Sequence, residues 1–301
     1  MTNASRLIIE CVSEYHYPVE LKHEQSKNNC TSQNLKHMKE FVLITGASSG
    51  IGYEMAQILA RQQFNLILVA RRIEKLDELK NRLNHQYGIE VYTIKSDLSN
   101  PENAVQLYDD IRAKGLHVTM LINNAGVGEY GEFTDISLDK QVNMINLNVT
   151  SLMILCKLFL KDMKESAKGK VMNIASLLSY IPFPYYSVYS ATKAFVLSLT
   201  ETLAAELEGT GVEIKALCPG PVATDFNTPE MLNTNAYNAN KPISPAKVAE
   251  VGVRHLLKGR GVKKVGFNTW FISNLPRITP DTIMMRIKKN LAKQQKYKDK
   301  D

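Results

Sequence analysis

Tyr189 and Lys193 have the residue types and the spacing needed for proton transfer at a carbonyl oxygen. They stand in the run Tyr-Ser-Ala-Thr-Lys, which begins a helical pattern that continues to about Glu208. Four residues along a helix bring two side chains to one face. Because an ammonium group beside a phenol favours the phenolate, we expect the pKa of Tyr189 to lie below its usual value of about 10. Such a tyrosine can protonate a carbonyl oxygen or accept a proton from an alcohol.

A glycine-rich turn, Thr-Gly-Ala-Ser-Ser-Gly-Ile-Gly, occupies residues 45–52 between an apolar strand pattern and a helix pattern. Glycines in such a turn let the backbone approach a pyrophosphate, and the amide end of the following helix favours negative charge. The turn therefore predicts a dinucleotide site. Its expected contacts are Gly46, Ser48, Ser49, Gly50, Ile51 and Gly52.

The same turn also contains Gly-x-Ser-x-Gly, the pattern of a hydrolase nucleophile. A hydrolase needs a histidine later in the chain, and the downstream candidates His85, His117 and His255 have no catalytic setting in the sequence. The dinucleotide interpretation is therefore favoured over the hydrolase one.

Arg71 and Arg72 follow the second predicted strand, with Arg71 nineteen residues after Gly52. Enzymes that bind NAD place an acid near this point for the ribose 2′-hydroxyl, whereas an arginine suits the 2′-phosphate of NADP. A guanidinium group binds phosphate through paired donors. Because no acid follows until Glu74, the sequence predicts NADP(H) as the cofactor. The alternative is that the two arginines only solvate a loop.

Three further motifs follow in order along the chain. Asn-Asn-Ala-Gly occupies residues 123–126 after the fourth predicted strand, Ser176 stands thirteen residues before Tyr189, and Pro-Gly at 219–220 follows the sixth strand. With the glycine turn and the Tyr-x-x-x-Lys motif, residues 40–250 resemble the short-chain dehydrogenase/reductase family, in its single-domain form. The resemblance implies hydride transfer between a nicotinamide and a carbonyl or alcohol.

The resemblance also implies roles for matching positions. Tyr189 is the expected general acid/base, and Lys193 is expected to lower its pKa and hold the nicotinamide ribose. Ser176 is expected to hydrogen-bond the substrate oxygen, with Ser179 as a rival ten residues before the tyrosine. Asn148 is expected in a proton relay through water. Further cofactor contacts are expected from Asp97, Leu98, Asn124, Ala125, Gly126, Pro219, Gly220, Val222 and Thr224.

Short apolar runs alternate with helical patterns from the first predicted strand onward. The runs are Phe41–Ile44, Asn65–Ala70, Glu90–Ile94, Val118–Ile122, Lys170–Ile174 and Val212–Leu217. Apolar strands separated by crossover-length segments are typical of a parallel sheet covered on both faces by helices. We therefore predict an α/β fold with a doubly wound, Rossmann-type parallel sheet in a single domain over residues 39–265.

Residues 1–38 are polar and lack clear periodicity, which predicts a flexible N-terminal extension. The open alternatives are a gene start placed too early, with Met38 as the initiator, and a docked or regulatory segment.

Residues 266–301 are predicted to form a basic helical tail. Ile283, Ile287 and Leu291 recur four residues apart among lysines and arginines, which predicts an apolar stripe beside a basic face. A helix packed on the domain or on a second subunit is favoured over contact with an anionic membrane, which would be peripheral.

The charge is concentrated in this tail. The net charge is +7, but residues 258–301 hold 12 Lys/Arg against 3 Asp/Glu, so the rest of the chain is slightly acidic. That distribution argues against a surface built for nucleic acid. The most apolar run, residues 151–160, is too short to span a bilayer, so we expect no transmembrane segment.

Composition is that of a globular protein, with 44% hydrophobic and 22% charged residues. The cysteines show neither paired spacing nor clustering with histidines. We therefore predict reduced thiols, no metal site and a cytoplasmic location. The cysteines are Cys11, Cys30, Cys156 and Cys218.

The substrate is expected between the aromatic run 180–186 and the loop after Thr224, because loops beyond the carboxyl ends of strands form the crevice. Both segments are largely apolar, with no evident arginine or lysine for a carboxylate. This favours an NADP(H)-dependent oxidoreductase that acts on the carbonyl or secondary alcohol of a moderately apolar molecule.

Two other functions remain open. The first is a 3-oxoacyl thioester reductase or 3-hydroxy acid dehydrogenase, which uses the same chemistry. The second, from another class, is a non-catalytic NADP(H)-sensing or scaffold protein. The resemblance further implies a homodimer or homotetramer, formed through helices around residues 150–164 and 188–208.

Overall fold

A computed structural model describes residues 39–235, 237, 242–274 and 281–293. Within them, seven strands form one parallel sheet in the order β3-β2-β1-β4-β5-β6-β7. The strands are β1 (Glu40–Thr45), β2 (Asn65–Ala70), β3 (Val91–Lys95), β4 (His117–Asn123), β5 (Gly169–Ile174), β6 (Val212–Pro219) and β7 (Val262–Val265). The α-helices are α1 (Gly50–Arg61), α2 (Ile73–Tyr87), α3 (Glu102–Ala113), α4 (Leu138–Ile145), α5 (Leu152–Glu165), α6 (Ser187–Glu206), α7 (Pro229–Leu232), α8 (Pro245–Lys258), α9 (Phe267–Asn274) and α10 (Asp281–Ala292).

Helices cover both faces of the sheet, which confirms the predicted doubly wound fold. Successive side chains of a strand point to opposite faces. In β1, Phe41 and Leu43 pack with α3, α5 and α6, whereas Val42 and Ile44 pack with α1, α2 and α8. Because all four side chains are buried, the strand reads as a continuous apolar run rather than an alternating one.

Strand β7 is the one element of the sheet that the apolar runs do not predict. Its sequence, Val-Lys-Lys-Val, is short and half charged. It pairs with β6 at the end of the strand order. Lysines are typical of edge strands, where they discourage pairing with other chains. A search for apolar runs therefore does not detect this strand.

A long helical run, 138–165, contains α4, a π-helical turn (Asn146–Ser151) and α5. By length and composition alone this run could cross a membrane. The apolar run 151–160 is therefore part of a longer helix, and the absence of a transmembrane segment stays a prediction. Its buried side chains, including Leu155 and Phe159, pack in the core beside the sheet. The packing supports a core helix.

The tail contains α9 and α10, and the predicted apolar stripe of α10 is only partly correct. Ile283 and Ile287 are exposed, whereas Met284 and Ala292 are buried. The inward face of the helix is therefore rotated from the predicted stripe. The predicted extension 1–38 and tail residues 294–301 lie outside the described residues.

Candidate active site

The strand order reverses between β1 and β4, and a doubly wound sheet opens its crevice at that point. A cavity of about 620 Å³ lies there. Nearly all of the predicted site residues line it: Gly46, Ser48, Ser49, Gly50, Ile51, Arg71, Arg72, Asp97, Leu98, Asn124, Ala125, Gly126, Ser176, Tyr189, Lys193, Pro219, Gly220, Val222 and Thr224. Two predicted residues, Gly52 and Asn148, do not line the cavity but contact residues that do.

Glycine is required at two positions of the first turn. Gly46 has φ +66°, and a Cβ there would lie 2.9 Å from the Cα of Ala125. A Cβ on Gly52 would lie 2.5 Å from Nδ2 of Asn124. The turn after β1 therefore presses directly against the turn after β4. It leaves the amide end of α1 facing the cavity, which is the geometry that a pyrophosphate needs.

Thr45 joins these two turns. Its Oγ1 accepts hydrogen bonds from the backbone amides of Asn124 and Ala125, both at 3.0 Å. The Asn124 side chain donates in return to the carbonyl oxygens of Thr45 and Gly46, at 2.9 and 3.1 Å. The side chain of Asn124 thus holds the glycine turn, in addition to lining the cavity.

Thr45→Val is expected to lower the free energy of unfolding by about 2 kcal/mol, because two amide donors lose their acceptor in a buried place. Urea unfolding of the purified variant measures this. The matched control is Thr119→Val, a buried threonine of β4 that makes none of these bonds. Equal destabilisation by the two substitutions would contradict the assigned role of Thr45.

Arg72 lies against the glycine turn. Its Nη2 donates to the hydroxyls of Ser48 and Ser49, at 3.1 and 2.9 Å. Arg71 lines the same end of the cavity. Two guanidinium groups and two hydroxyls therefore gather beside the carboxyl end of β2. No carboxylate follows β2 before Glu74, so this donor set suits a phosphate better than a free ribose hydroxyl.

Tyr189, Lys193 and Ser176 meet in the centre of the cavity wall. The Ser176 side chain lies close enough to the Tyr189 hydroxyl to lower its pKa, and Nζ of Lys193 lies 5.9 Å from the Tyr189 ring centroid. That Nζ donates to the carbonyl oxygen of Ile174 at 2.8 Å. The predicted catalytic side chains are therefore brought together.

The pKa of Tyr189 runs opposite to the prediction. Burial raises the pKa of Tyr189 to about 12, and the hydrogen bond with Ser176 offsets only part of that rise. Burial also lowers the pKa of Lys193 to about 8. Helical spacing shows that an ammonium group is near the phenol but not that burial desolvates both groups. A phenol with a raised pKa is protonated at neutral pH, which is the state that donates to a carbonyl oxygen.

Ser179, the rival of Ser176, does not line the cavity, and its hydroxyl is engaged in structural hydrogen bonds. Its Oγ accepts from the amide of Ser176 at 3.2 Å and donates to the carbonyl oxygen of Lys193 at 2.8 Å. Ser176 accepts in turn from the amide of Leu178. This reciprocal pair caps the short 3₁₀ turn Leu177–Ser179 after β5, so Ser179 positions Ser176 and the backbone at Lys193.

Asn148 lies in the π-helical turn and is fully buried. Its amide exchanges two hydrogen bonds with the backbone of Val127, at 3.0 and 2.8 Å, and donates to Thr192. A Cβ on Gly126 would lie 3.1 Å from Asn148 Oδ1 and 3.4 Å from Lys193 Nζ. The π turn, a feature often found at functional sites, therefore fixes the loop that faces Lys193. The proton relay expected of Asn148 stays a prediction.

Four more of the predicted cofactor residues lie in the loops after β3 and β6. Asp97 and Leu98 follow β3, where Asp97 Oδ1 accepts from the amide and hydroxyl of Ser99. Thr224 follows β6, and its Cγ2 would be 3.2 Å from a Cβ on Gly50. Val222 bridges to Ile243, which anchors the start of the loop after β6.

The end of the cavity away from the arginine pair is lined mainly by apolar and aromatic side chains. Phe226 packs against Tyr189 with ring centroids 5.5 Å apart, and Tyr186 lies 6.3 Å from the same ring. Other lining residues at this end are Ile181, Phe183, Met231, Thr234, Tyr237, Ile272 and Leu291. Sequence reasoning missed Ile272 and Leu291, because nothing in the tail indicates that it returns to the site.

The geometry leaves little room for the alternatives to a dinucleotide site. Within the described residues, no histidine lines the cavity and no group of three or more His, Cys, Asp or Glu could hold a metal ion. His117 begins β4 at the opposite edge of the sheet from the cavity. Over residues 39–235, 237, 242–274 and 281–293, the Gly-x-Ser-x-Gly match therefore has no histidine partner for hydrolysis.

A family model described as short chain dehydrogenase matches residues 40–235, which include the glycine turn, Ser176, Tyr189 and Lys193. The chain belongs to the short-chain dehydrogenase family. It is therefore an oxidoreductase that acts on carbonyl or hydroxyl groups with a nicotinamide cofactor.

Other members of the family are similar over most of the chain. The very-long-chain 3-oxoacyl-CoA reductase of Anas platyrhynchos is 33% identical over 257 residues, covering 83% of this chain and 80% of that protein. The human 17-beta-hydroxysteroid dehydrogenase type 3 is 33% identical over 206 residues, covering 67% and 64%. A short-chain dehydrogenase from Sphingobium yanoikuyae, solved in complex with NADPH, is 28% identical with a TM-score of 0.69, covering 79% and 93%.

Proposed function

We propose that this short-chain dehydrogenase is an NADP(H)-dependent reductase of ketones carried by apolar molecules, with 3-oxoacyl thioesters as the leading substrate class. One observation carries the proposal. Tyr189, Ser176 and Lys193 line the same cavity as the arginine pair and the glycine turn, and as a group of apolar and aromatic side chains. A carbonyl compound that fills the apolar end therefore presents its oxygen to Tyr189.

The chain's own residues supply the proton and the orientation. The nicotinamide, when bound, supplies the hydride. Tyr189 donates its phenolic proton to the carbonyl oxygen, and the Ser176 hydroxyl orients that oxygen by hydrogen bonding. Lys193, held by the carbonyl oxygen of Ile174, faces the same space and is placed to hold the ribose hydroxyls. In the oxidative direction Tyr189 accepts the proton from the alcohol.

The arginine pair supports NADP(H) over NAD(H). Arg72 is already hydrogen-bonded to the two serines of the glycine turn, and Arg71 stands beside it at the carboxyl end of β2. A 2′-phosphate would receive charged donors from both. The NADPH bound to the Sphingobium relative is consistent with this assignment.

The lining supports an uncharged reacting group with a long or bulky apolar part. Glu129 and Asp225 are the charged residues at the substrate end, whereas the lysine and arginines of the lining stand in the centre and at the cofactor end. Among the lining residues that the structure describes, no lysine or arginine stands at that end to pair with a free carboxylate. A thioester carbonyl or a steroid ketone lacks that charge, and the two relatives named above are an acyl-CoA reductase and a hydroxysteroid dehydrogenase.

The direct test is NADPH consumption with 3-oxoacyl thioesters of several chain lengths, steroid ketones and small ketones. We expect turnover that favours the long thioesters. NADPH binding without turnover of any of these compounds would instead favour the non-catalytic sensing function. Turnover restricted to small polar carbonyls would contradict the assigned substrate class.

We also propose a homodimer or homotetramer, through a surface slightly different from the one predicted. Exposed apolar side chains gather on α4, the start of α5, and α6. They are Leu138, Val142, Ile145, Met153 and Phe195. Leu138, Val142 and Ile145 share one helical face by their spacing, and α4 contacts α6. Burying this face in an interface removes it from water.

Light scattering is expected to give the mass of a dimer or a tetramer, and Val142→Glu is expected to reduce it to that of the monomer. The control is Ile287→Glu, an equally exposed apolar residue on α10, which should leave the mass unchanged. A monomeric wild type would overturn the proposal. Cytoplasmic location, the absence of a nucleic-acid partner and peripheral membrane contact at most through the tail stay predictions.

A further inference from the structure

The carboxyl-terminal end of α10 is fastened to both loops that flank the substrate end of the cavity. The hydroxyl of Tyr130, in the loop after β4, donates to the carbonyl oxygen of Ala292 at 2.6 Å. Asn235, in the loop after β6, donates two hydrogen bonds to the end of α10. Its side-chain amide donates to the carbonyl oxygen of Asn290, and its backbone amide donates to the carbonyl oxygen of Lys293, both at 3.1 Å. The last carbonyls of a helix need such donors, so this end of α10 is held in a defined place.

Tyr130 connects this attachment to the catalytic tyrosine. Its ring lies 5.6 Å from the ring of Tyr185 and 5.2 Å from that of Tyr186. Tyr186 in turn lies 6.3 Å from Tyr189. A series of packed aromatic rings therefore runs from the catalytic centre to the end of α10, along one side of the apolar cavity.

The same helix places one side chain in the cavity wall. Leu291, one residue before the anchored Ala292, lines the cavity together with Ile272 of α9. Ile283 and Ile287 lie on the outer face of α10 and are exposed. The helix therefore presents Leu291 to the cavity and Ile287 to solvent. The same substitution at these two positions separates an effect on the cavity from an effect on the helix.

We infer that α10 is the outer wall of the substrate cavity and that Leu291 is a specificity-determining residue. Leu291 contacts the apolar part of the substrate that extends away from the reacting carbonyl. This inference rests on the proposed function for its substrate class. Short substrates, which occupy only the region around Tyr189 and Ser176, do not reach Leu291, whereas long acyl chains do.

The test measures binding rather than turnover. Hexadecanoyl and butanoyl N-acetylcysteamine thioesters, which lack the reducible ketone, are titrated calorimetrically into wild type, Leu291→Ala and the matched control Ile287→Ala. We expect Leu291→Ala to weaken hexadecanoyl binding about tenfold, since it removes apolar contact area. Butanoyl binding and the control variant should match wild type. Hexadecanoyl binding that Leu291→Ala leaves unchanged, or that Ile287→Ala weakens equally, would overturn the inference.

Tyr130→Phe tests the attachment itself. This substitution keeps the ring contacts and removes the hydroxyl that donates to Ala292. Amide hydrogen exchange over residues 281–293 is expected to accelerate about tenfold, since one net hydrogen bond is lost. Tyr53→Phe, which removes a hydroxyl bonded to Arg82 on α2, is the control. Unchanged hydrogen exchange in Tyr130→Phe would contradict the inference that Tyr130 holds α10 in place as the outer wall of the cavity.

The proposed function fails separately. In one outcome, wild type reduces no carbonyl compound while Leu291→Ala still selectively weakens binding of the hexadecanoyl thioester. That result would support the place of Leu291 in the cavity wall and contradict the proposed reductase activity. If the wild type binds neither thioester, both the acyl substrate class and the role of Leu291 are overturned.

Discussion

Tyr189→Phe is expected to lower kcat for carbonyl reduction by about 10²- to 10⁴-fold, which is the usual contribution of a positioned general acid. The substitution removes the phenolic proton donor and its bond with Ser176 but keeps the ring that packs on Phe226. NADPH affinity is expected to change little, because the arginine pair and the glycine turn are untouched. Stopped-flow and steady-state assays with a 3-oxoacyl thioester measure both quantities.

Tyr186→Phe is the matched control for this prediction. Tyr186 lines the same cavity, packs near Tyr189 and has a pKa that burial raises. Removing its hydroxyl should leave kcat within about threefold of wild type if only Tyr189 transfers the proton. Equal losses in the two variants would mean that the aromatic cluster supports the fold or the substrate rather than proton transfer by Tyr189.

Replacing both Arg71 and Arg72 by alanine is expected to weaken NADPH binding about a hundredfold, since charge-assisted hydrogen bonds contribute about 1.5–3 kcal/mol each. NADH binding should change by less than about threefold, because NADH lacks the 2′-phosphate that these groups hold. Titration of each cofactor into the variant, followed by fluorescence of the reduced nicotinamide, gives the two affinities.

Arg82→Ala provides the control for charge. Arg82 lies on α2 and bonds to Tyr53 and Gln57 away from the cavity, so its loss should affect neither cofactor. Equal weakening of NADPH and NADH in the double variant would indicate a general contribution to the glycine turn. That result would contradict the assignment of NADP(H).

The fold could be predicted because each strand of the sheet except β7 is a local apolar run. The glycine turn, the arginine pair, the Asn-Asn-Ala-Gly motif and Ser176 could be placed because each follows such a run, and parallel strands bring their carboxyl ends to one edge. This is why Ser48, Arg72 and Ser176, distant in sequence, line one cavity. Tyr189 and Lys193 lie instead on α6, where helical spacing brings them to one face. Strand β7 could not be predicted in this way, because two of its four residues are lysines and its place in the sheet depends on pairing with β6.

Two features of the site could not be predicted, because they depend on tertiary environment. The direction of the Tyr189 pKa is decided by burial, a property of the folded environment that helical spacing does not show. The place of Leu291 in the cavity wall depends on hydrogen bonds from Tyr130 and Asn235, which are remote in the chain. The helical spacing of the tail predicts a helix but not the face that turns inward.

The most direct measurement follows deuterium from NADPH labelled at C4 of the nicotinamide into the product of a 3-oxoacyl thioester. We expect one deuterium at the carbinol carbon of the 3-hydroxy product with wild type, and we expect Tyr189→Phe nearly to abolish this transfer. Labelled NADPH that binds but transfers no deuterium to any carbonyl compound would contradict the proposed reductase activity. Transfer that persists undiminished in Tyr189→Phe would contradict the role given to Tyr189.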